Sequence, residues 1–148
     1  MGIMGGNSKM SNQTAAYQQY KQVQIKTANR GKLLILLNQG CIKFLRLAKK
    51  GVQDNNIEMA NNNIIKSQNI IMELMSTLDR DKGGEIADNL YSLYDYMNRQ
   101  LVEANINKNI GPIEIVEELM LELLDSWQQL VNGGKREEEN ESKVRVKG

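Results

Sequence analysis

Cys41 is the one thiol in this sequence, histidine is absent, and acidic pairs such as Glu117 and Glu118 fall on the polar side of a helical pattern. Without histidine there is no His-based triad, no His metal site and no Glu-x-x-His di-iron pair. A lone cysteine forms no intramolecular disulfide and fits a reducing compartment. Its place among apolar residues reads as a buried, inert thiol. The acidic pairs have no neighbouring group to tune them. The sequence therefore predicts no enzyme, no cofactor and no metal. The remaining chemistry is apolar binding. Ile35 and Ile42 lie seven residues apart, as do Ile65 and Met72. Each pair stacks on one side of a helix, outside that helix's main apolar stripe.

Such residues need rigid elements to carry them. The chain has 148 residues, which points to one domain able to bury a core without staples. Few aromatics, many helix formers and a single proline, Pro112, favour an all-α fold. With 19 basic and 18 acidic residues the net charge is +1, so electrostatics give no case for nucleic acid or an anionic membrane. No apolar run reaches the roughly eighteen residues of a membrane span. No basic-then-apolar leader is present. The chain starts Met-Gly, but Gly6 breaks the myristoylation pattern.

Four helices follow from the periodicity. The first is expected from about Asn29 to Lys50, capped by Thr27 or Asn29 and stopped at Gly51. The second spans about Asn56 to Leu78, with Asp54 or Asn55 as cap. The third runs from about Glu85, after "DKGG", to Ile106. The fourth opens at Pro112 and ends at Gly133 and Gly134. Residues 1–16 read as a disordered N-terminus, with 1–9 a candidate vector-derived leader. Residues 17–131 form the helical domain, beginning with an arm or short extra helix. Residues 132–148 read as a charged, disordered tail. Short breaks between long helices give an antiparallel four-helix bundle.

At 100° per residue, the first helix gathers Leu33, Leu34, Leu37, Cys41, Phe44, Leu45, Leu47 and Ala48 into a core stripe, with Asn38 between it and the Ile35–Ile42 pair. The second puts Ile57, Ile64, Ile71, Leu74, Met75 and Leu78 inward. The third turns in Ile86, Leu90, Leu93, Met97, Leu101 and Ala104, with Tyr91 and Val102 at the edge. The fourth presents Ile113, Val116, Leu119, Met120, Leu123, Leu124, Trp127 and Val131. The first three helices thus carry more apolar surface than one bundle face uses. Two readings stand open: central placement, with a helix touched on two sides, or a groove for partner helices. Five methionines in the helices serve either.

Several segments together resemble the flagellar secretion chaperone family. They are "AYQQYKQVQIKTANRGKLLILL", "IKFLRLAKKG", "IIKSQNIIMELMSTLD", "KGGEIADNLYSLYDYMNRQLVEAN" and the closing Trp127, in order over residues 15–131. The family has Tyr and an acidic residue where Asn38 and Gln39 stand, often Ala in place of Cys41, and Ser-Pro near Asn29 and Arg30. The resemblance implies an antiparallel four-helix bundle with an N-terminal arm. It implies a cytoplasmic, non-enzymatic chaperone, monomeric or weakly dimeric when free. Its partners would be the disordered C-terminal segment of flagellin, held along apolar grooves, and a component of the flagellar type III export gate. The partner-binding residues expected are Tyr17, Tyr20 and Ile25 on the arm, with Ile35, Asn38, Ile42, Ile65, Met72, Tyr91 and Asn98 on the first three helices. The alternative reading is a self-associating structural bundle.

Overall fold

The computed structural model describes the backbone of residues 30–147 and the side chains of residues 30–133. The arm with Tyr17, Tyr20 and Ile25, and the caps expected at Thr27 and Asn29, lie outside the described residues. Four helices follow: α1 (Arg30–Gln53), α2 (Ile57–Ser76), α3 (Arg80–Asn107) and α4 (Ile110–Lys147). Each packs on two neighbours in a ring, α1 on α2 and α4, and α3 on the same two, with no close backbone approach between α1 and α3 or between α2 and α4 among the described residues. This is the antiparallel four-helix bundle the patterning predicts.

Local chemistry sets the joints. Asn55 takes a left-handed φ of 56°, a conformation Asn tolerates better than most residues. Asn56 N–H then donates to Gly51 O at 2.8 Å and Asn55 N–H to Val52 O at 3.2 Å. That pair of bonds is a Schellman closure of α1. Asn56 also caps α2, its side-chain oxygen accepting from Met59 N at 3.1 Å. Asp79 caps α3 by accepting from Lys82 N at 3.0 Å. Gly84, at φ 57° and ψ −135°, breaks α3 after its first turn, a conformation open without strain to glycine alone.

Several boundaries differ from the sequence reading. Gly51 does not stop α1. It is buried in the helix, and a Cβ there would stand 2.6 Å from Ala60 N. The cap of α2 is Asn56, not Asp54 or Asn55. α4 begins at Ile110, so Pro112 is its third residue, and its backbone stays helical through Gly133 and Gly134 to Lys147.

The α1–α2 seam is built of small residues. Cys41 and Ala48 face Ala60 and Ser67, all fully buried. Across it the Cys41 thiol points to Ser67 O, and Ser67 Oγ donates to Asn63 O at 2.9 Å; on the other flank of α1, Asn38 Nδ2 donates to Leu34 O at 2.7 Å while its Oδ1 is buried without a partner among the described residues. Larger side chains fill the interior elsewhere: Leu45, Ile64, Ile71, Leu74, Tyr94, Met97, Leu101, Ile113, Val116 and Met120. Burial pushes the Cys41 thiol up to about 12 and the Tyr94 hydroxyl up to about 12, so both are neutral at ordinary pH.

The core is rotated from the expected stripes. Leu33, Phe44 and Leu47 are half-buried at the rim, while Asn38 and Ile42 lie inside. Ile57 and Ile86, expected inward, are 62% and 74% exposed.

The Gly51–Ala60 approach yields a mutational prediction. Gly51→Ala should destabilise the fold by about 1–3 kcal/mol, because its methyl meets backbone and forces the helices apart. Gly133→Ala, where a Cβ meets nothing within 4 Å, should be neutral or stabilising by up to about 1 kcal/mol, since helix propensity then acts alone. Urea denaturation of both variants measures the contrast.

Candidate partner-binding surface

Two contacts fix how α1 meets α4. Arg46 Nε pairs with Glu117 Oε2 at 2.8 Å and Lys49 Nζ with Glu114 Oε2 at 3.0 Å. At the other end a Cβ on Gly31 would lie 2.6 Å from Val131 Cγ2. The seam between them carries Ile35, Asn38, Ile42 and Leu45 at heptad spacing. Ile42 is 5% exposed and Asn38 0%. These two expected partner contacts are therefore core residues, because α4 covers the side of α1 that α2 does not. Ile35, one turn nearer the open end, is half-buried.

The opposite edge is different. Lys108, in the left-handed conformation after α3, donates from its ammonium to Asn61 on α2 and to Asn105 on α3. That cluster pins Asn61 against Asn105. Antiparallel helices keep step every seven residues, so Gln68 comes level with Asn98 and Met75 with Tyr91. Tyr91 and Asn98 are half-buried, and Asn98 Oδ1 is buried without a partner among the described residues. On the solvent side of this floor stand Ile65, 47% exposed, and Met72, 52% exposed, with Val102 across from them at 48%. The structure thus brings Ile65, Met72, Tyr91 and Asn98 to one edge between α2 and α3, and separates them from Ile35, Asn38 and Ile42.

Sequence reasoning missed residues at the open end of the bundle. A cavity of about 470 Å³ lies there, lined by Leu34 of α1, Leu78, the first turn of α3, Leu90, Tyr94 and Trp127. Trp127 Nε1 is buried with no partner among the described residues. Tyr94 belongs to the same helical face as Leu90, Met97 and Leu101, a periodicity that could have identified it. No group of three or more Cys, Asp or Glu able to hold a metal occurs among the described residues, and no described helix is long and apolar enough to cross a membrane.

Comparison with known proteins adds independent findings. Residues 12–134 match the family model described as flagellar protein FliS. The chain is 38% identical over 121 residues to the flagellar secretion chaperone FliS of Bacillus subtilis, covering 82% of this chain and 90% of that one. It is 34% identical over 116 residues to the protein of that name from Salmonella typhimurium, covering 75% and 86%. A crystal structure of a bacterial flagellar chaperone superposes with a TM-score of 0.68 at 22% identity, over 82% of this chain and 98% of that one. At that identity the superposition speaks for the fold.

The two edges make opposite predictions for truncation. Ile42→Ala should cost about 2–4 kcal/mol of stability as a core deletion. Met72→Ala, on a half-exposed surface, should change stability by less than about 1 kcal/mol. Thermal denaturation of the two variants checks both.

Proposed function

The chain belongs to the flagellar protein FliS family, and on that premise we propose that it is a cytoplasmic export chaperone for flagellin. It holds the disordered C-terminal segment of flagellin along the α2–α3 edge, keeps it from polymerising early, and presents it to the flagellar type III export gate. The observation that carries this reading is the apolar strip of Ile65, Met72 and Val102, left half-exposed along the α2–α3 edge. A disordered segment needs a long apolar surface to offset the entropy of ordering. Nothing in this task requires a nucleophile, a metal or a cofactor.

The second reading, self-association through the same strip, is favoured by the same exposed residues. Titration with a flagellin C-terminal peptide separates the two. A one-to-one complex with gained helicity is expected for a chaperone; a homodimer indifferent to the peptide would replace that reading with self-association. Replacing Ile65 and Met72 together by Asp should weaken peptide binding by at least about tenfold, or ~1.4 kcal/mol, while the melting temperature changes little.

The arm completes the proposal. Tyr17, Tyr20 and Ile25 are apolar side chains in a largely polar stretch of sequence, and we propose that they shield a groove of the free bundle until the client displaces them. A client gains only what exceeds the arm's own affinity. Removing residues 1–24 should raise binding of an apolar dye and leave client affinity equal or higher. Loss of client binding with the bundle intact would make the arm part of the site instead.

A further inference from the structure

The first turn of α3 stands apart from the helix it begins. Asp79 through Glu85 and Ile86 form an unbroken exposed run, bounded by buried Ala87. Inside it the turn closes on itself, Gly83 N–H donating to Asp79 O at 2.7 Å. Gly84 then breaks the helix with its φ of 57°. A Cβ at Gly84 would meet nothing within 4 Å, so its conformation answers to the backbone and not to crowding.

Among the described residues, little fastens this turn. Arg80 Nε pairs with Asp88 Oδ1 across the break at 2.9 Å, and both side chains are more than half exposed. The same guanidinium lies 4.4 Å from the centroid of the Tyr91 ring. On the near side Arg30 Nη2 donates to Thr77 O at 2.8 Å. The turn supplies Asp79, Lys82 and Gly83 to one wall of the open-end cavity; Tyr94 and Trp127 stand among its other lining residues. A segment with few buried contacts, exposed bonds and a glycine at its root is a unit that opens before the bundle unfolds.

We infer that Asp79–Gly83 is a hinged wall that pivots at Gly84, with Arg80 as its clasp, and so sets the width of the cavity beside Trp127. The Arg80 clasp also covers one face of Tyr91. Opening therefore frees that ring and widens access to the Trp127 indole in one movement. Closing returns the guanidinium to both of its partners. The inference concerns the free protein and does not depend on the identity of any client.

Trp127 is the single tryptophan, which makes opening measurable in the full-length protein. Arg80→Ala should increase acrylamide quenching of its fluorescence and speed hydrogen exchange in a peptide covering residues 80–90 by roughly tenfold, the order set by losing one exposed ion pair and one cation–π contact. Far-UV circular dichroism and exchange in α1 and α2 should stay as in the parent. Asp88→Asn should act in the same direction and less strongly. Gly84→Ala should act alike through the backbone alone. In the parent, molar salt should move exchange toward the Arg80→Ala value, with little effect on Arg80→Ala itself. Unchanged quenching and exchange in both Arg80→Ala and Gly84→Ala would overturn the hinge. Acceleration spread evenly over all four helices would overturn it too, since that is global destabilisation.

Discussion

The close approach of α1 and α2 at Gly51 and Ala60 is the constraint on which the remaining architecture depends. Backbone-to-backbone contact at that point lets the seam be filled by Cys41, Ala48 and Ser67 rather than by large side chains. α4 then lies along the other flank of α1, tied by Arg46–Glu117 and Lys49–Glu114. These surface ion pairs add little energy, but they mark the register. Flanked in this way, α1 is covered on two sides, which partly buries Leu33, Leu34, Ile35 and Leu37, while Leu36 stays 65% exposed. α3, carrying Tyr94, Met97 and Leu101 inward, is held off by their bulk. Its edge against α2 keeps apolar side chains in water as a result. The tight seam and the open edge are two outcomes of one distribution of side-chain volume.

The fold was legible in the sequence because its signals are local. Periodicity, caps and breakers repeat along the chain and require no knowledge of the neighbour. The site was less legible because it depends on which helix lies on which side. Ile42 and Met72 have similar standing in the pattern, each the second member of a pair seven apart and off the main stripe. α4 buries the first and nothing among the described residues buries the second. Gly51 shows the same limit. A glycine near a helix end signals a stop, yet it also permits a backbone to come close. The turn that follows it, through Asn55 and Asn56, is what ends α1. Ile86 looked inward because the helical phase was counted through the face of α3 alone; at the mouth of the bundle, two residues past the Gly84 break, no neighbour among the described residues covers it.

A carrier must hold its cargo and also release it, and under the function proposed above the α2–α3 edge has the means for intermediate affinity. Complete burial of a large aliphatic side chain is worth about 1.5–3 kcal/mol. Ile65, Met72 and Val102 are each already about half covered in the free bundle, so each has about half of that left to give. The ordering of a bound segment costs several kcal/mol in opposition. Affinity then rests on adding several partial contacts along the edge, not on one deep anchor. Contacts of that kind can be lost one after another, so a segment held this way can be peeled from one end without a single large barrier. A filled, flat edge would bind too weakly to guard a client. A deep slot in the core would bind it past recovery, and α1, clamped on both flanks by α2 and α4, is the helix least able to open one.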